Sequence, residues 1–263
     1  MLAAQFTEAE GTGLAVHVPL LESLAQLELH QPGHATRVAA LLEAFARFLK
    51  LNEARVLELR VIALAHGLGE LTLSETCRNT PQLSLQGPAR QEFREHPARA
   101  AAVLRAIPAL QSLAKVVAAQ HEHYDGTGFP AGLLGDAIPV PARLLAVVDT
   151  YDAARHGRLK ARAMSETEAR EYLQARVGSQ LDGRAASAFL RFLQQSETGN
   201  AASNGVPIDE LAPGMILEQD LSTSSGVLLV PAGHRLTPAL LDRIRALAQI
   251  DGGRLFAVVR QQA

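Results

Sequence analysis

Apolar side chains recur at the spacing of an α-helix over most of the first two hundred residues. After His34, for example, Val38, Leu41 and Phe45 follow at intervals of three or four positions, which places all of them on one helical face. Residues 71–91 lack this period and are typical of a long, often functional connection. The same period predicts helices from about Pro19, from about His34, over Glu53–Ala65, over Glu92–Ala106, over Leu110–His121, from Pro139 or Pro141 through Asp152, over Ser165–Val177 and over Asp182–Gln195.

The pattern changes after residue 196. The polar run Ser196–Asn204 is typical of a linker. Short apolar runs at Met215–Leu217, Val227–Val230 and Leu255–Val259 predict strands around a helix over Thr237–Ala248. We therefore expect a mainly α fold, with an N-terminal arm over residues 1–18, a helical domain over 19–196, a linker over 197–204 and a small α+β module over 205–263. The module has no catalytic grouping, so an interaction or dimerisation role is expected for it.

Composition and charge narrow the function class. The chain has 263 residues, of which 48% are hydrophobic and 20% charged, and it carries a net charge of −2 and no tryptophan. It lacks the basic field and the aromatic platform that nucleic-acid binding favours. No apolar run approaches the ~18 residues that span a bilayer, and the N-terminus lacks the basic start of a signal peptide. We expect a cytoplasmic protein that binds neither DNA nor membrane. Its one cysteine, Cys77, is expected to be an ordinary thiol in a loop.

Candidate chemistry lies on the inner faces of the predicted helices. Five potential metal ligands fall on five separate helical segments, and all except His96 have apolar neighbours on their own face. They are His34, His66, His96, His121 and Asp149. One histidine on such a face is usually a satisfied core residue, but four histidines and an aspartate on separate segments favour a shared metal centre between helices. Imidazole and carboxylate ligands suit Fe, Mn, Zn, Co or Ni, and the pattern does not choose among them.

A polar cluster and a tight glycine–proline loop follow the predicted helix that carries His121. The loop comprises Asp125, Gly126, Gly128, Phe129 and Pro130, and its glycines allow backbone angles that other residues avoid. We expect Asp125 to stabilise the turn rather than to bind metal. For Glu122, the alternatives are an orienting contact to His121, a capping role and a solvent-facing position.

These motifs resemble the HD-GYP subgroup of the HD superfamily of metal-dependent phosphohydrolases. The matching segments are His34–Val38, His66–Glu70, Glu95–Pro97, Gln120–Pro130, Ile138–Arg143 and Asp149–Ala153. The resemblance covers roughly residues 20–195. It implies an HD-type helical bundle, a centre of two or three metal ions and hydrolysis of cyclic di-GMP. It also implies substrate contacts from Arg143, Arg158 and Lys160. The Gly-Tyr-Pro signature of the family appears here as Gly128-Phe129-Pro130.

Three departures from the family pattern fall at the expected centre. Gly67 stands where the family has an aspartate that resembles a bridging ligand. Gln120 replaces the first of two paired histidines, and Glu70 replaces a lysine that resembles a phosphate contact. The remaining set is expected to hold one ion rather than two, or none. Glu70 is a candidate substitute ligand or catalytic group; the alternative is a solvated carboxylate left after the lysine was lost.

The retained and the lost ligands together allow two hypotheses for the function. The first is a degenerate HD-GYP signalling protein that is weakly active or inactive and acts through binding. The second is a functional metal-dependent cyclic di-GMP phosphodiesterase with a rearranged site. Expected partners are cyclic di-GMP or a related dinucleotide, a protein such as a diguanylate cyclase domain docked on an exposed Gly-Phe-Pro loop, and a second copy of the chain.

Overall fold

The computed structural model describes residues 13–27, 33–202, 205–222, 228–251 and 256–260. Its helices in these ranges are α1 (Val18–Ala25), α2 (His34–Phe48), α3 (Glu53–His66), α4 (Glu75–Asn79), α5 (Gly87–Arg105), α6 (Ala114–Ala118), α7 (Val140–Arg155), α8 (Glu166–Gln174), α9 (Gly183–Ala202) and α10 (Pro238–Asp251). The strands are β1 (Gly205–Pro207), β2 (Ile216–Leu217), β3 (Leu221–Ser222), β4 (Leu228–Val230) and β5 (Phe256–Arg260). This is the predicted fold class, a mainly α bundle with a small α+β part.

Helix α7 lies at the centre of the bundle. Its apolar residues Leu144, Leu145, Val147 and Val148 have no exposed surface, although they point to different sides of the helix. A helix that is apolar on all sides has to be surrounded by others. The bundle therefore packs around α7, and the polar residues that α7 carries, such as Asp149, are buried with it.

An aromatic cluster closes the bundle between α2 and α9. The ring of Phe45 lies 5.1 Å from Phe189 and 5.7 Å from Phe192, measured between ring centroids. Phe189 also meets Tyr151 of α7 at 5.4 Å with the rings almost perpendicular, an arrangement that aromatic quadrupoles favour. These contacts fix α2 and α7, the helices that begin with His34 and carry Asp149.

Several element boundaries differ from the sequence prediction. Helix α5 starts at Gly87 instead of Glu92, and α4 lies within the predicted connection. The predicted helix Leu110–His121 is a 3₁₀ turn over Pro108–Leu113 followed by the short α6, so Gln120 and His121 lie beyond its end. Helix α9 continues through Ala202 into the predicted linker. Residues 1–12 of the arm, residues 203 and 204 of the linker, and the predicted strand ends Val227 and Leu255 lie outside the described residues.

The chain divides into two compact units between Phe192 and Leu193. In the second unit β5 pairs with β1 on one side and β2 on the other, both antiparallel, and β3 pairs with β4. Helix α10 contributes to a separate core formed by Ile208, Leu211, Leu217, Leu221, Val230, Leu236, Leu241, Ile244 and Ala257. Strands β1 and β3 were absent from the sequence prediction. Across the described ranges, no helix has the length and apolarity needed to cross a membrane.

Candidate metal centre

Three helices bring His34, His66 and Asp149 together. His34 is the first residue of α2, His66 is the last of α3, and Asp149 lies inside α7. The Nε2 atom of His34 lies 3.1 Å from Nε2 of His66 and 3.1 Å from Oδ1 of Asp149. Nε2 of His66 lies 3.7 Å from the same carboxylate oxygen. One ligand atom from each residue therefore falls within 4.8 Å of the others, in a buried position.

The far nitrogen of each imidazole is held by a hydrogen bond. Nδ1–H of His34 donates to Oδ2 of Asp152 at 2.7 Å, and Nδ1–H of His66 donates to the carbonyl of Ala63. These contacts fix the ring orientation and direct both Nε2 atoms to the centre, as the outer contacts of metal-binding histidines do. Asp152 also accepts from Arg37, with Nε at 2.9 Å from its Oδ1.

His96 and His121 form a second pair beside the first. Nδ1–H of His96 donates to the carbonyl of Phe93 at 2.6 Å, so Nε2 of His96 is an acceptor. The side-chain amide of Gln120 donates to this atom at 3.0 Å, and Nε2 of His121 lies 3.2 Å from it. The same amide nitrogen contacts the carbonyl of His66 at 3.3 Å, which joins the two pairs. Gln120 thus occupies the lone pair of His96 that a metal ion would use.

Glu70 faces the second pair rather than solvent. It lies on the 3₁₀ turn Gly67–Thr72 that continues α3. Its Oε1 atom is 3.7 Å from Nε2 of His96 and forms an ion pair with Nη2 of Arg158. Of the two alternatives for Glu70, the solvated carboxylate is therefore wrong, since four fifths of the side chain is buried. Gly67 contributes no side chain to the centre.

Gly69 brings the Glu70 turn close to α5. A Cβ atom at Gly69 would lie 1.9 Å from the carbonyl oxygen of His96 and 2.8 Å from its carbonyl carbon. Because real Cβ contacts are much longer, only glycine allows this backbone approach. The contact sets the separation between the element that follows His66 and the helix that carries His96.

The pKa values separate the histidines into two kinds. Burial and the Arg158 charge lower the pKa of His34, but Asp149 and Asp152 outweigh them and raise it to about 9. Burial lowers the pKa of His96 to about 4 and, together with the His96 charge, lowers that of His121 to about 3. At neutral pH the imidazole of His34 is therefore protonated in the metal-free protein, and its Nε2–H faces Nε2 of His66.

The carboxylates of Glu70 and Asp149 are both ionised. Burial raises the pKa of Glu70, but the Arg158 and His96 charges outweigh it and lower this pKa to about 2. Burial also raises the pKa of Asp149, and contacts with His34 and His66 lower it well below its usual range. The centre therefore presents carboxylate oxygens beside imidazole nitrogens, a donor set that suits a divalent transition metal once His34 has released its proton.

The residues fit a metal ion at the first group. The buried Oδ1 atom of Asp149 has no hydrogen-bond donor in suitable geometry among the described residues, although Nε2 of His34 is nearby. In the metal-free protein the charge of protonated His34 faces this oxygen, and a divalent ion that replaced the proton would bind the oxygen directly. His34, His66 and Asp149 would hold this ion. His96 and His121 lie next to this group. The carboxylate nearest to them, that of Glu70, is paired with Arg158 and is therefore not available as a third metal ligand.

A cavity of about 460 Å³ opens beside the centre. His34, Glu70 and Arg158 line the end of the cavity next to the His34–His66–Asp149 group, and Phe93 contributes an aromatic ring to the wall. The remaining wall is formed by Leu27, Leu71, Leu73, Cys77, Arg78, Asn79, Thr80, Pro81, Gln82, Leu85 and Gly157. Cys77 is buried in α4, not in a loop as predicted, and its thiol contacts the Ala89 carbonyl at 3.4 Å. The volume and mixed lining are typical of a small-molecule site.

The glycine–proline loop packs against the second histidine pair. Oδ1 of Asp125 accepts from the backbone N–H of Thr127 at 2.9 Å, which is the predicted turn contact. Glu122 is buried and accepts from the backbone N–H groups of Ala131 and Leu133, so it holds the loop closed. None of its predicted alternatives, an orienting contact to His121, a cap or a solvent-facing position, describes this arrangement.

The aromatic ring of the loop, Phe129, contacts two neighbouring side chains. Phe129 is half-buried, and its ring stacks on His121 with centroids 5.1 Å apart. The guanidinium of Arg94 lies over the other part of the same ring at 4.6 Å. The loop that was predicted to be exposed is therefore exposed only in part: Phe129 is half-buried, while Thr127 and Pro130 are exposed.

Two of the predicted substrate contacts lie away from the cavity. Arg143 is buried and contacts Asp136 and Asp182, each at 2.7 Å, so it ties α7 to the start of α9. Lys160 is exposed and does not line the cavity. Arg158 alone of these three lines it. Arg143 and Lys160 therefore do not belong to the lining of this cavity.

Sequence reasoning missed Asp152 and Arg37. Both lie in segments that matched the family pattern, but neither received a role, because the contact with His34 joins residues 118 positions apart. The available signal was spacing, since Asp152 lies three residues after Asp149 and hence near it on one helical face.

Comparison with known proteins identifies the family. A family model described as HD domain matches residues 18–185, more than half of the chain. The chain therefore belongs to the HD domain family, the superfamily that the resemblance predicted.

The curated relatives are cyclic-dinucleotide phosphodiesterases. The chain is 29% identical over 161 residues to 3'3'-cGAMP-specific phosphodiesterase 3 of Vibrio cholerae, covering 61% of this chain and 35% of that protein. It is 32% identical to the cyclic di-GMP phosphodiesterase response regulator RpfG of Xanthomonas campestris, covering 58% and 40%. It is 34% identical to cyclic di-GMP phosphodiesterase PA4108 of Pseudomonas aeruginosa, covering 52% and 33%. The chain spans between 33% and 40% of the length of these relatives.

Two solved structures share the fold. The cyclic GMP-AMP phosphodiesterase V-cGAP3 of V. cholerae superposes with a TM-score of 0.55 at 18% identity, covering 71% of this chain and 51% of that one. The HDG"Y"P protein Bd1817 of Bdellovibrio bacteriovorus gives 0.54 at 19% identity, covering 70% and 62%. At this identity the likeness concerns the fold alone.

Proposed function

We propose that this chain is a signalling domain that binds a cyclic dinucleotide at a single-metal centre and hydrolyses it weakly or not at all. The observation that carries the proposal is the His34–His66–Asp149 group beside a cavity that Arg158 also lines. The named activities of the relatives supply the ligand class, because those proteins act on cyclic di-GMP or 3'3'-cGAMP. Cyclic di-GMP is the expected ligand.

Each part of the site has a distinct task in this proposal. An ion held by His34, His66 and Asp149 would polarise a phosphoryl oxygen as a Lewis acid. Asp152 keeps the His34 ring oriented, and Arg158 offers its guanidinium to the phosphate. The apolar wall that includes Phe93 excludes water and packs against a base.

Weak hydrolysis is expected because the second ion lacks ligands. Two-metal centres use both ions to stabilise the attacking and the leaving oxygen. Gly67 supplies no bridging carboxylate, and the amide of Gln120 donates to the lone pair of His96. Loss of one ion removes part of the transition-state stabilisation but leaves the cavity intact. The protein is therefore expected to retain ligand binding while hydrolysis becomes weak.

The alternative is a working phosphodiesterase with a rearranged centre. One observation favours it: His96 and His121 still meet at 3.2 Å, and the Glu70 carboxylate lies 3.7 Å from His96. A carboxylate released from Arg158 would complete a donor set of two imidazoles and one acid.

Metal analysis paired with turnover separates the two candidates. The purified protein is loaded with Mn²⁺ or Fe²⁺ in excess, its metal content is measured, and cyclic di-GMP and 3'3'-cGAMP are offered to it. The first candidate predicts about one ion per chain, micromolar binding and little or no product. Rapid turnover that His121→Ala abolishes would reject it in favour of the second. If none of these dinucleotides binds, both candidates fail.

Protein partners stay a separate prediction. Because Phe129 is half-buried, a cyclase domain that docks on this loop would contact the exposed residues Thr127 and Pro130 instead. Loss of a defined cyclase complex in Thr127→Glu, with the metal content unchanged, would support such docking. Light scattering of the purified chain tests the predicted homodimer.

A further inference from the structure

The position of the Glu70 carboxylate has a consequence for ligand binding. One oxygen atom, Oε1, contacts both the Arg158 guanidinium and Nε2 of His96. Glu70, Arg158 and His34 line the same end of the cavity. A phosphate that entered from the cavity to meet Arg158 beside the histidines would therefore need the place that this carboxylate holds.

Arg158 cannot readily leave Glu70 by moving its backbone. Its N–H donates to the carbonyl of Ala153 at 2.9 Å, and its own carbonyl accepts from the N–H of Gln82 at the same distance. Leu159 forms a similar link, since its carbonyl accepts from the N–H of Leu83 at 3.2 Å. The main chain of Arg158 is thus tied both to α7 and to the opposite cavity wall.

Glu70 is held from the other side. The backbone approach at Gly69 fixes its turn against α5, and Leu73 N–H donates to the Glu70 carbonyl at 3.0 Å. Only the side-chain torsions of Glu70 are free to change. A carboxylate and a phosphate bind a guanidinium with the same paired geometry and charge type, so the two compete for one site.

We propose that Glu70 is an internal competitor for the phosphate of the ligand, which lowers the affinity of the cavity for cyclic dinucleotides until this side chain turns away from Arg158. This rests on the proposed function and adds a specificity-determining residue to it. Removing the negative charge of Glu70 while keeping the shape of its side chain should therefore raise the affinity for the dinucleotide. Removing a negative charge outside the cavity should leave this affinity unchanged.

The test compares Glu70→Gln with the unaltered chain, each loaded with one equivalent of Mn²⁺, and product analysis after each titration establishes that the dinucleotide is still intact. Titration calorimetry measures binding of cyclic di-GMP. We expect Glu70→Gln to bind roughly ten- to a hundredfold more tightly, the range of a hydrogen bond to a charged group. Glu75→Gln, which removes an exposed carboxylate of α4, is the matched control and should not change affinity. Arg158→Gln should bind weakly, and adding Glu70→Gln to it should give no gain.

Two results would overturn the inference: an unchanged affinity in Glu70→Gln, or a weaker one, which would make Glu70 a residue that positions Arg158. A second probe distinguishes this failure from failure of the proposed function.

Inorganic phosphate should raise the unfolding temperature of Glu70→Gln more than that of the unaltered chain or of Glu75→Gln. If phosphate does so while no dinucleotide binds either protein, the competitor role stands and the dinucleotide function falls. If neither phosphate nor dinucleotide distinguishes the variants, the competitor role is wrong. Circular dichroism establishes that each variant is folded.

Discussion

Nδ1–H of His34 donates to Oδ2 of Asp152 at 2.7 Å, and this contact directs Nε2 of His34 to Asp149 and His66. Asp152 is itself buried and is held by Arg37. A residue outside the metal-binding group thus fixes the orientation of one of its members. The strength of metal binding should depend on it.

Asp152→Asn should weaken metal binding by roughly ten- to a hundredfold, the usual effect of losing such an orienting carboxylate. The Kd for Mn²⁺ or Zn²⁺, measured by competition with a chelating dye, checks this. Asp182→Asn is the control because Asp182 is equally buried and ion-paired but contacts Arg143 instead. Equal losses in both variants would mean that the effect is general destabilisation.

Stability of the metal-free protein should fall as the pH rises from about 6.5 through 9. The folded pKa of His34, about 9, exceeds its ordinary value of 6.5. Its contribution is therefore complete below 6.5 and is lost above that value as the folded state releases the proton. The full effect is roughly 3 kcal/mol. Thermal unfolding across this range in EDTA measures it, and His34→Gln should flatten the curve.

The acid side should show the opposite slope. His96 and His121 have folded pKa values of about 4 and 3, below the ordinary 6.5. Neutral forms of these residues stabilise the fold above pH 6.5, and this contribution is lost as the pH falls through 4. Replacing His96 by Asn should weaken the acid-side slope while leaving the alkaline slope intact. An unchanged acid limb in that variant would contradict the assignment.

Metal binding should become tighter with rising pH up to about 9. His34 has to lose its proton before Nε2 can bind an ion, so the apparent affinity should rise about tenfold per pH unit below this pKa. Calorimetry in buffers of different ionisation enthalpy counts the released protons. Close to one proton per ion is expected at pH 7, and a count near zero would contradict the role of His34.

Gly67→Asp combined with Gln120→His should raise metal content toward two ions per chain. The first change returns a carboxylate, and the second replaces the amide that donates to His96. If ligands alone limit turnover, cyclic di-GMP hydrolysis should increase by at least ~10-fold. Two bound ions without increased hydrolysis would instead point to Glu70 or another part of the site as the limit.

Gly128→Ala should destabilise the chain strongly. Its Cβ atom would lie 2.1 Å from the backbone nitrogen of His123 and 2.5 Å from Cα of Glu122. Backbone groups cannot yield as a flexible side chain can, so we expect a loss of at least ~3 kcal/mol. Gly132→Ala, in the same loop at φ +66 but with 3.5 Å to its nearest contact, should cost only about 1 kcal/mol. Urea unfolding compares the two variants.

Hydrophobic periodicity located the long helices but not the short ones. It found α2 and α3 because each carries many apolar residues on its buried face, and α7 because apolar residues surround that helix. It placed the start of α5 too late, since Gly87 and Pro88 were treated as breakers although proline is compatible with a first helical turn. Helix α9 extends through a polar stretch that has no apolar period, so the same method ended it at Gln195.

The candidate site was predictable as a set of ligands but not as a network. Of the five proposed metal ligands, His34, His66 and Asp149 lie in one group, and His96 and His121 contact each other beside it. The roles of Glu70, Gln120 and Asp152 depend on contacts across 88, 24 and 118 sequence positions. Local patterns carry no information on such distances, and each of these contacts decides what the centre can bind.

The close backbone contact at Gly69 fixes the distance between the two histidine pairs through the main chain. No rotamer change can widen it, because there is no side chain between that turn and the His96 carbonyl. A second ion at His96 and His121 would therefore have to accept the separation from the first ion that the backbone sets, because side-chain rotation cannot adjust it.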